Sequence, residues 1–385
     1  MVETRRAGPR HKKSSPPILS HEFVIQNHGD IITCFVMLFL FGLMFPLTSS
    51  TAMLFVVPQY NETKTTTAET ITGDKYPVEY KVYRNGIKDL FTLFFYTNAW
   101  IVVHAILQEY LFDNLSKKAN LSKAKQYKFT ESCHLLVFAL YSICHAVYII
   151  EDFLSTHVDI KKIWLGYPEE HKYMSEPMKL FFIFQIAYWL HQFPEFYFQK
   201  MKSDEIRHKA FASILHIGFI GAAYALNFTR LAVVLLFLEY VSQAFFHFAR
   251  LAYFYEKKNI AKPAFKLWNV VFILARLASC VLSVTTFWYG LRQSESAFID
   301  VAAGNFNTSY VRINCLIVVI VLQLYMLWNF IMFHVNRYKE SSSRKAKDKK
   351  PLVQAQPKKK RVEDSESDVS ESTDKRLQQQ NKKRN

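Results

Sequence analysis

Ten ionisable side chains within the long apolar runs of this 385-residue chain are candidates for chemistry: His104, His134, His145, His191, Glu195, His216, Glu239, His247, Arg250 and Arg276. A charge at the centre of a bilayer costs at least ~2.5–3.5 kcal/mol, so such residues face a protein interior, pair with one another or snorkel to the headgroups. His191 and Glu195 are one helical turn apart, and Glu239, His247 and Arg250 lie about two and three turns apart, near one helix face. Arg276, in the next apolar run, is placed to pair with Glu239. The simplest chemistry for that set is an electrostatic tie between helices. The sharper one is a polar lining for a translocating or lipid ligand, while Arg250 could equally reach the headgroups along its own stem.

The elements that must hold these groups are eight apolar stretches: Ile31–Val57, Ile87–Phe112, Ser132–Ile150, Met178–Phe198, Phe211–Leu226, Leu231–Phe254, Trp268–Gly290 and Val311–Val335. Most approach the ~20 residues that cross a ~30 Å hydrocarbon core as a helix. Continuous runs of this length satisfy their backbone groups only as helices, and period-two alternation is absent. The expected class is an all-α polytopic membrane protein of about eight transmembrane helices. Residues 1–30 form a basic leader, 31–130 the first two spans with a loop between them, 131–337 a six-helix bundle, and 338–385 a disordered basic tail.

Lysine and arginine set the orientation. The leader carries Arg5, Arg6, Arg10, Lys12 and Lys13, and the loops after stretches two, four and six are lysine-rich. The third connection instead carries Glu151, Asp152, Asp159, Glu169, Glu170 and Glu176. The positive-inside rule then places both termini in the cytosol, which agrees with an even number of spans. The first stretch contains Pro46 followed by Ser49–Ala52, like a signal-peptide cleavage region. The polar leader is long for a signal, and apolar residues resume at Met53, so an uncleaved first span bent at Pro46 is expected.

The net charge of +16 is concentrated at the end, where residues from Arg337 onward carry sixteen Lys or Arg against eight Asp or Glu. Such a tail attracts anionic lipid or the RNA of a nearby ribosome, or simply solvates the chain. Ser365 and Ser367 stand in an acidic cluster suited to acidophilic kinases. Lys382 and Lys383 occupy the fourth and third positions from the carboxyl end, as in a dilysine retrieval signal. Asn61-Glu62-Thr63 is a glycosylation sequon in the first lumenal loop, whereas Asn227 and Asn307 lie too close to spans to be good acceptors. Five cysteines lie within or beside apolar stretches without metal-ligand spacing, so packing is expected of them, with no disulfide framework, no metal and no cofactor.

Several strings resemble the translocating-chain-associated membrane protein (TRAM) family, from Ser20 to Tyr338. They are Ser20-His21-Glu22-Phe23-Val24-Ile25-Gln26-Asn27-His28, Gly86-Ile87-Lys88-Asp89-Leu90, Phe245-Phe246-His247-Phe248-Ala249-Arg250-Leu251 and Gly304-Asn305-Phe306-Asn307. The most distinctive is Ala187-Tyr188-Trp189-Leu190-His191-Gln192-Phe193-Pro194-Glu195-Phe196-Tyr197-Phe198-Gln199-Lys200. The resemblance implies an endoplasmic-reticulum membrane protein beside the Sec translocon that contacts signal sequences and nascent transmembrane segments. It also implies a TLC-domain core shared with ceramide synthases. Those acyltransferases carry adjacent histidines and a His-Asp pair where this chain aligns Leu215-His216 and Glu239-Tyr240. Leu215 cannot take part in general acid–base transfer, so no enzymatic activity is expected. The alternatives are a lipid-binding or lipid-modifying TLC protein and a small-solute transporter, although no internal repeat is found. Stretches three and five look short and polar, which would thin the adjacent bilayer and ease entry of weakly hydrophobic signals.

Overall fold

The computed structural model describes Pro17 and residues 20–69, 74–154 and 159–348. Its chain order is α1 (His21–Gln26), α2 (His28–Gly42), α3 (Pro46–Val56), β1 (Asn61–Glu69), β2 (Lys75–Tyr83), α4 (Asp89–Ile106), α5 (Asp113–Lys118), α6 (Lys123–Leu154), α7 (Glu176–Phe198), α8 (Ser203–Ala225), α9 (Thr229–Phe254), α10 (Lys258–Ser283) and α11 (Ser309–Asp348). A π-helical turn, Leu107–Phe112, joins α4 to α5. Five continuous helical segments are long and apolar enough to cross a membrane: Asp89–Lys118, Lys125–Leu154, Thr229–Phe254, Lys258–Ser294 and Ser309–Glu340. At 23 residues each, α7 and α8 also have the length. The protein is an all-α polytopic membrane protein.

The first apolar stretch is not one span. It breaks at Leu43–Phe45, with Pro46 opening α3, where its missing N–H costs nothing. A Cβ on Gly42 would lie 3.2 Å from that of Ala52, and the Phe39 and Phe55 rings are 4.7 Å apart, so α3 folds back on α2. A helix merely bent at Pro46 could not bring residues ten apart into contact. The pieces hold 15 and 11 residues, about 22 and 16 Å at the helical rise, and neither alone matches a ~30 Å core.

Stretches three and five are longer than their apolar runs. The 32-residue α6 begins at Lys123 and the 23-residue α8 at Ser203, because charged residues at the membrane edge continue the helical hydrogen bonding. Helix length alone therefore no longer argues for thinning at stretches three and five; their apolar runs, which set the match to the hydrocarbon, are unchanged. Likewise α11 runs on to Asp348, through residues expected to begin the disordered tail.

The loop between the first two apolar stretches contains an antiparallel hairpin, β1 with β2, registered from Asn61 opposite Tyr83 to Glu69 opposite Lys75. Period-two patterning does not announce it because both faces are mostly solvated; the Thr63, Thr65, Thr66 and Thr67 run supplies β-branched side chains instead. Tyr83 exchanges backbone hydrogen bonds with Met174, docking the hairpin on the loop before α7. Beneath it, the Lys179 ammonium lies 2.7 Å from Asp89 and donates to the carbonyls of Gln59 and Arg84.

The bundle core lies between α6, α7 and α9. Phe138 stacks on Tyr188, with Phe181, Phe182, Val233 and Tyr240 fully buried around them. Ala139, Ala146, Ala187 and Ala232 are also buried, and small residues at these contacts let backbones approach closely, the main source of attraction between helices in lipid. At one end the β-hairpin meets the loops before α7, α9 and α11. Here Tyr167 donates to the Leu226 carbonyl and Arg84 to that of Ala302. The opposite end carries the lysine-rich connections.

Candidate functional site: a polar cavity at the basic-loop end

A cavity of about 1120 Å3 opens among α2, α4, α6, α7, α8 and α9 at the basic-loop end. Each helix contributes polar groups that its sequence spacing puts on one face. From α7 come Trp189 and Glu195; from α4, His104; from α6, Glu131 and His134; from α8, Lys209 and His216; from α9, His247. The approach of α2 is set by Gly29, where an added Cβ would lie only 2.9 Å from that of Ala105, and this brings His28 to the rim.

The histidines converge around Glu195. His191 donates through Nδ1 to the Tyr188 carbonyl, leaving Nε2 of the neutral ring to accept from His104 Nδ1 at 3.3 Å. The His104 ring stacks on His134 at 3.7 Å, and His134 Nε2 meets Gln108 Oε1 at 3.2 Å. The π-helical turn carries Gln108, and such insertions often re-aim side chains at functional sites. Glu195 Oε2 accepts from Gln199 at 2.9 Å and lies 4.0 Å from His104, while Oε1 is 3.8 Å from His28. Pro194 has no N–H to donate to the Leu190 carbonyl, so this turn of α7 lacks one helical bond. Among the described residues no group of three or more His, Cys, Asp or Glu is arranged to hold a metal ion.

A second cluster forms the opposite wall. Lys209 reaches Glu131 at 2.6 Å and Tyr127 at 2.8 Å, and Arg250 approaches the other Glu131 oxygen at 3.7 Å. His216 lies face to face on Trp189, centroids 3.8 Å apart, and its Nδ1 donates to the Ala212 carbonyl.

The expected set thus divides. His104, His134, His191, Glu195, His216 and His247 gather at or against the cavity, and Arg250 joins its wall through Glu131. Glu239 and Arg276 form their own ion pair between α9 and α10, with Gln243 donating to the other Glu239 oxygen. His145 serves the other half of the bundle, bonding the Pro177 carbonyl and the Tyr141 hydroxyl. Asn61 is exposed at the start of β1. Asn227 and Asn307 are buried and donate to the carbonyls of Gly304 and Leu291. Ser365, Ser367, Lys382 and Lys383 lie outside the described residues. Sequence reasoning missed Glu131 and Lys209, since both precede the apolar runs and read as loop charges; it also missed Asp89 with Lys179. An acid directly abutting the next apolar run, in a lysine-rich connection, was the available signal for Glu131.

The positions aligned with acyltransferase residues have separate partners. His216 stacks on Trp189, Glu239 pairs with Arg276, and the buried Tyr240 hydroxyl donates to Gln185.

The family model described as the TLC domain matches residues 128–332, from α6 into α11. Translocating chain-associated membrane protein 2 of Mus musculus is 40% identical over 334 residues, 86% of each chain, and the Homo sapiens protein of that name 39% over the same extent. The chain belongs to the TRAM family, within the TLC-domain superfamily. A sphingosine N-acyltransferase-like protein of Alternaria alternata is 25% identical over 198 residues, covering 50% of this chain and 44% of its own. The TRAM similarity covers 86% of the chain, whereas the acyltransferase similarity covers half of it.

Proposed function

We propose that this TRAM-family chain is a non-enzymatic accessory of the Sec translocon in the endoplasmic-reticulum membrane, with both termini cytosolic. In this role it contacts signal sequences and nascent transmembrane segments and assists their translocation or insertion. The observation that carries the proposal is the 40% identity over 86% of the chain to a translocating chain-associated membrane protein. The basic tail suits contact with a ribosome or anionic lipid.

The mechanism we favour uses the broken first stretch. The short α2 and α3 and the break between them carry an outward apolar surface in which Leu38, Phe41, Met44 and Leu47 are exposed. Apolar helices shorter than the hydrocarbon thickness draw the bilayer thinner around them. A weakly hydrophobic segment leaving a channel beside this face would cross less hydrocarbon. Against an acyltransferase stand Leu215, which cannot exchange a proton, and Glu239, already tied to Arg276.

The test is site-specific photocrosslinking of a short, weakly hydrophobic signal sequence inserting into microsomes with and without this protein. A crosslink to the chain, with poorer insertion in its absence, is the expected result. The absence of both crosslink and dependence would overturn the proposal, and ceramide and related lipids would then be assayed.

A further inference from the structure

We propose that the cavity at the basic-loop end is a site for a membrane lipid with a primary-ammonium headgroup, received by the Glu195 carboxylate. Glu195 is only 2% exposed, and among the described residues its Oε1 has no hydrogen-bond partner. The nearest cation-forming group to that oxygen, His28 Nε2, is 3.8 Å away, beyond hydrogen-bonding distance. Buried carboxylate oxygens are normally satisfied, because leaving one bare forfeits solvation with nothing in return.

What is missing at this site is a donor. The other acid of the cavity, Glu131, already holds Lys209 and Arg250, so neither cation is free to turn to Glu195. An anion would meet the carboxylate as a like charge. An ammonium fits, and it must carry N–H groups, since a trimethylated nitrogen has no proton to give an acceptor. Across the cavity a further buried polar atom, His247 Nδ1, lacks a partner among the described residues.

Two observations favour a lipid over a peptide segment. The volume, about 1120 Å3, is just above the usual range of small-molecule pockets, which leaves room for an amphiphile's head and upper chains. The rim also runs out to the lipid-facing surface. Ile106 and Tyr110 line the cavity yet are 49% and 72% exposed, so acyl chains could lie over them while the head enters. This site is independent of the translocon role, and each can fail without the other.

The test places the full-length protein in nanodiscs of equal phosphatidylethanolamine and phosphatidylcholine with identical acyl chains. Tightly retained lipid is then identified by native mass spectrometry. The two heads differ in whether the nitrogen bears protons. One charge-assisted hydrogen bond predicts roughly tenfold preference for phosphatidylethanolamine in the unmodified protein. In Glu195→Gln the preference falls to near parity, while total retained lipid and elution volume stay the same. Equal retention of both lipids by the unmodified protein would overturn the proposal and leave ordered water as the partner of Glu195. An unchanged preference in Glu195→Gln would overturn it too, as would a cavity probe at position 192 that crosslinks a client segment and never a lipid. The comparison on the unmodified protein needs no variant to fold.

Discussion

Lys179 of α7 and Asp89 of α4 form a fully enclosed ion pair, 2.7 Å between charged atoms, with the lysine side chain 0% and the aspartate 9% exposed. Two backbone carbonyls complete the coordination of the ammonium, and Asp89 Oδ2 receives the Tyr224 hydroxyl and the Gly86 N–H. One cation therefore fastens α7, α4 and the ends of the hairpin, and the tyrosine adds α8.

Removing one member of such a pair strands the other as a buried charge. Lys179→Met is expected to destabilise the detergent-solubilised protein by roughly 3–5 kcal/mol, and Asp89→Asn by less, since it keeps an acceptor. Thermal unfolding measures both. Equal and negligible shifts would mean that water replaces the lost partner.

Glu239 and Arg276 tie α9 to α10. A double-mutant cycle with Glu239→Gln and Arg276→Met should show a coupling of roughly 1–3 kcal/mol, with the double variant more stable than the two single losses add up to. If the pair instead serves a lipid reaction, single variants would change the cellular ceramide profile at unchanged stability.

Sequence patterning located the helices and half of the site, for identifiable reasons. His191 and Glu195, His216 and His247 stand out because a polar group within an apolar run has few innocent explanations. The Glu239–Arg276 pairing was legible because consecutive spans of a bundle are usually neighbours. Glu131 and Lys209 escaped because helices continue past the edge of the hydrocarbon, where hydropathy no longer marks them. The fold-back at Leu43–Phe45 escaped because a 27-residue apolar run looks the same whether it crosses or turns. His28 was visible only within a family-like string; its place against Glu195 depends on Gly29 meeting Ala105.

Glycosylation should separate the sequons by exposure. Asn61 is expected to carry a glycan, so Asn61→Gln should abolish the mobility shift produced by peptide N-glycosidase on protein made in microsomes. Asn227 and Asn307 are engaged by backbone carbonyls and are expected to stay bare. A shift that survives Asn61→Gln would place another sequon on the lumenal side.

His171 lies in the loop before α7, outside the spans, 2% exposed, with Nε2 donating to the Leu165 carbonyl at 3.1 Å. Burial, reinforced by the charge of Arg230, pushes its pKa down to about 3 from 6.5. The folded state therefore refuses a proton that the unfolded state accepts below pH 6.5. Its stabilising contribution is complete above pH 6.5 and is lost progressively as the pH falls toward 3, by up to about 1.4 kcal/mol per pH unit. His171→Asn should flatten the pH dependence of thermal unfolding between pH 6.5 and 4. An unchanged slope would assign that dependence to other groups.

The 40 residues of α11 make a rod of about 60 Å, twice the ~30 Å of hydrocarbon it has to cross. Thirteen residues follow Val335, so the chain leaves the helix at Asp348 about 20 Å beyond the end of the apolar run. That stand-off exceeds two screening lengths at physiological salt, each ~8 Å. The leaflet beneath is electrically faint at that height, so the end of the rod feels little of the membrane's surface charge.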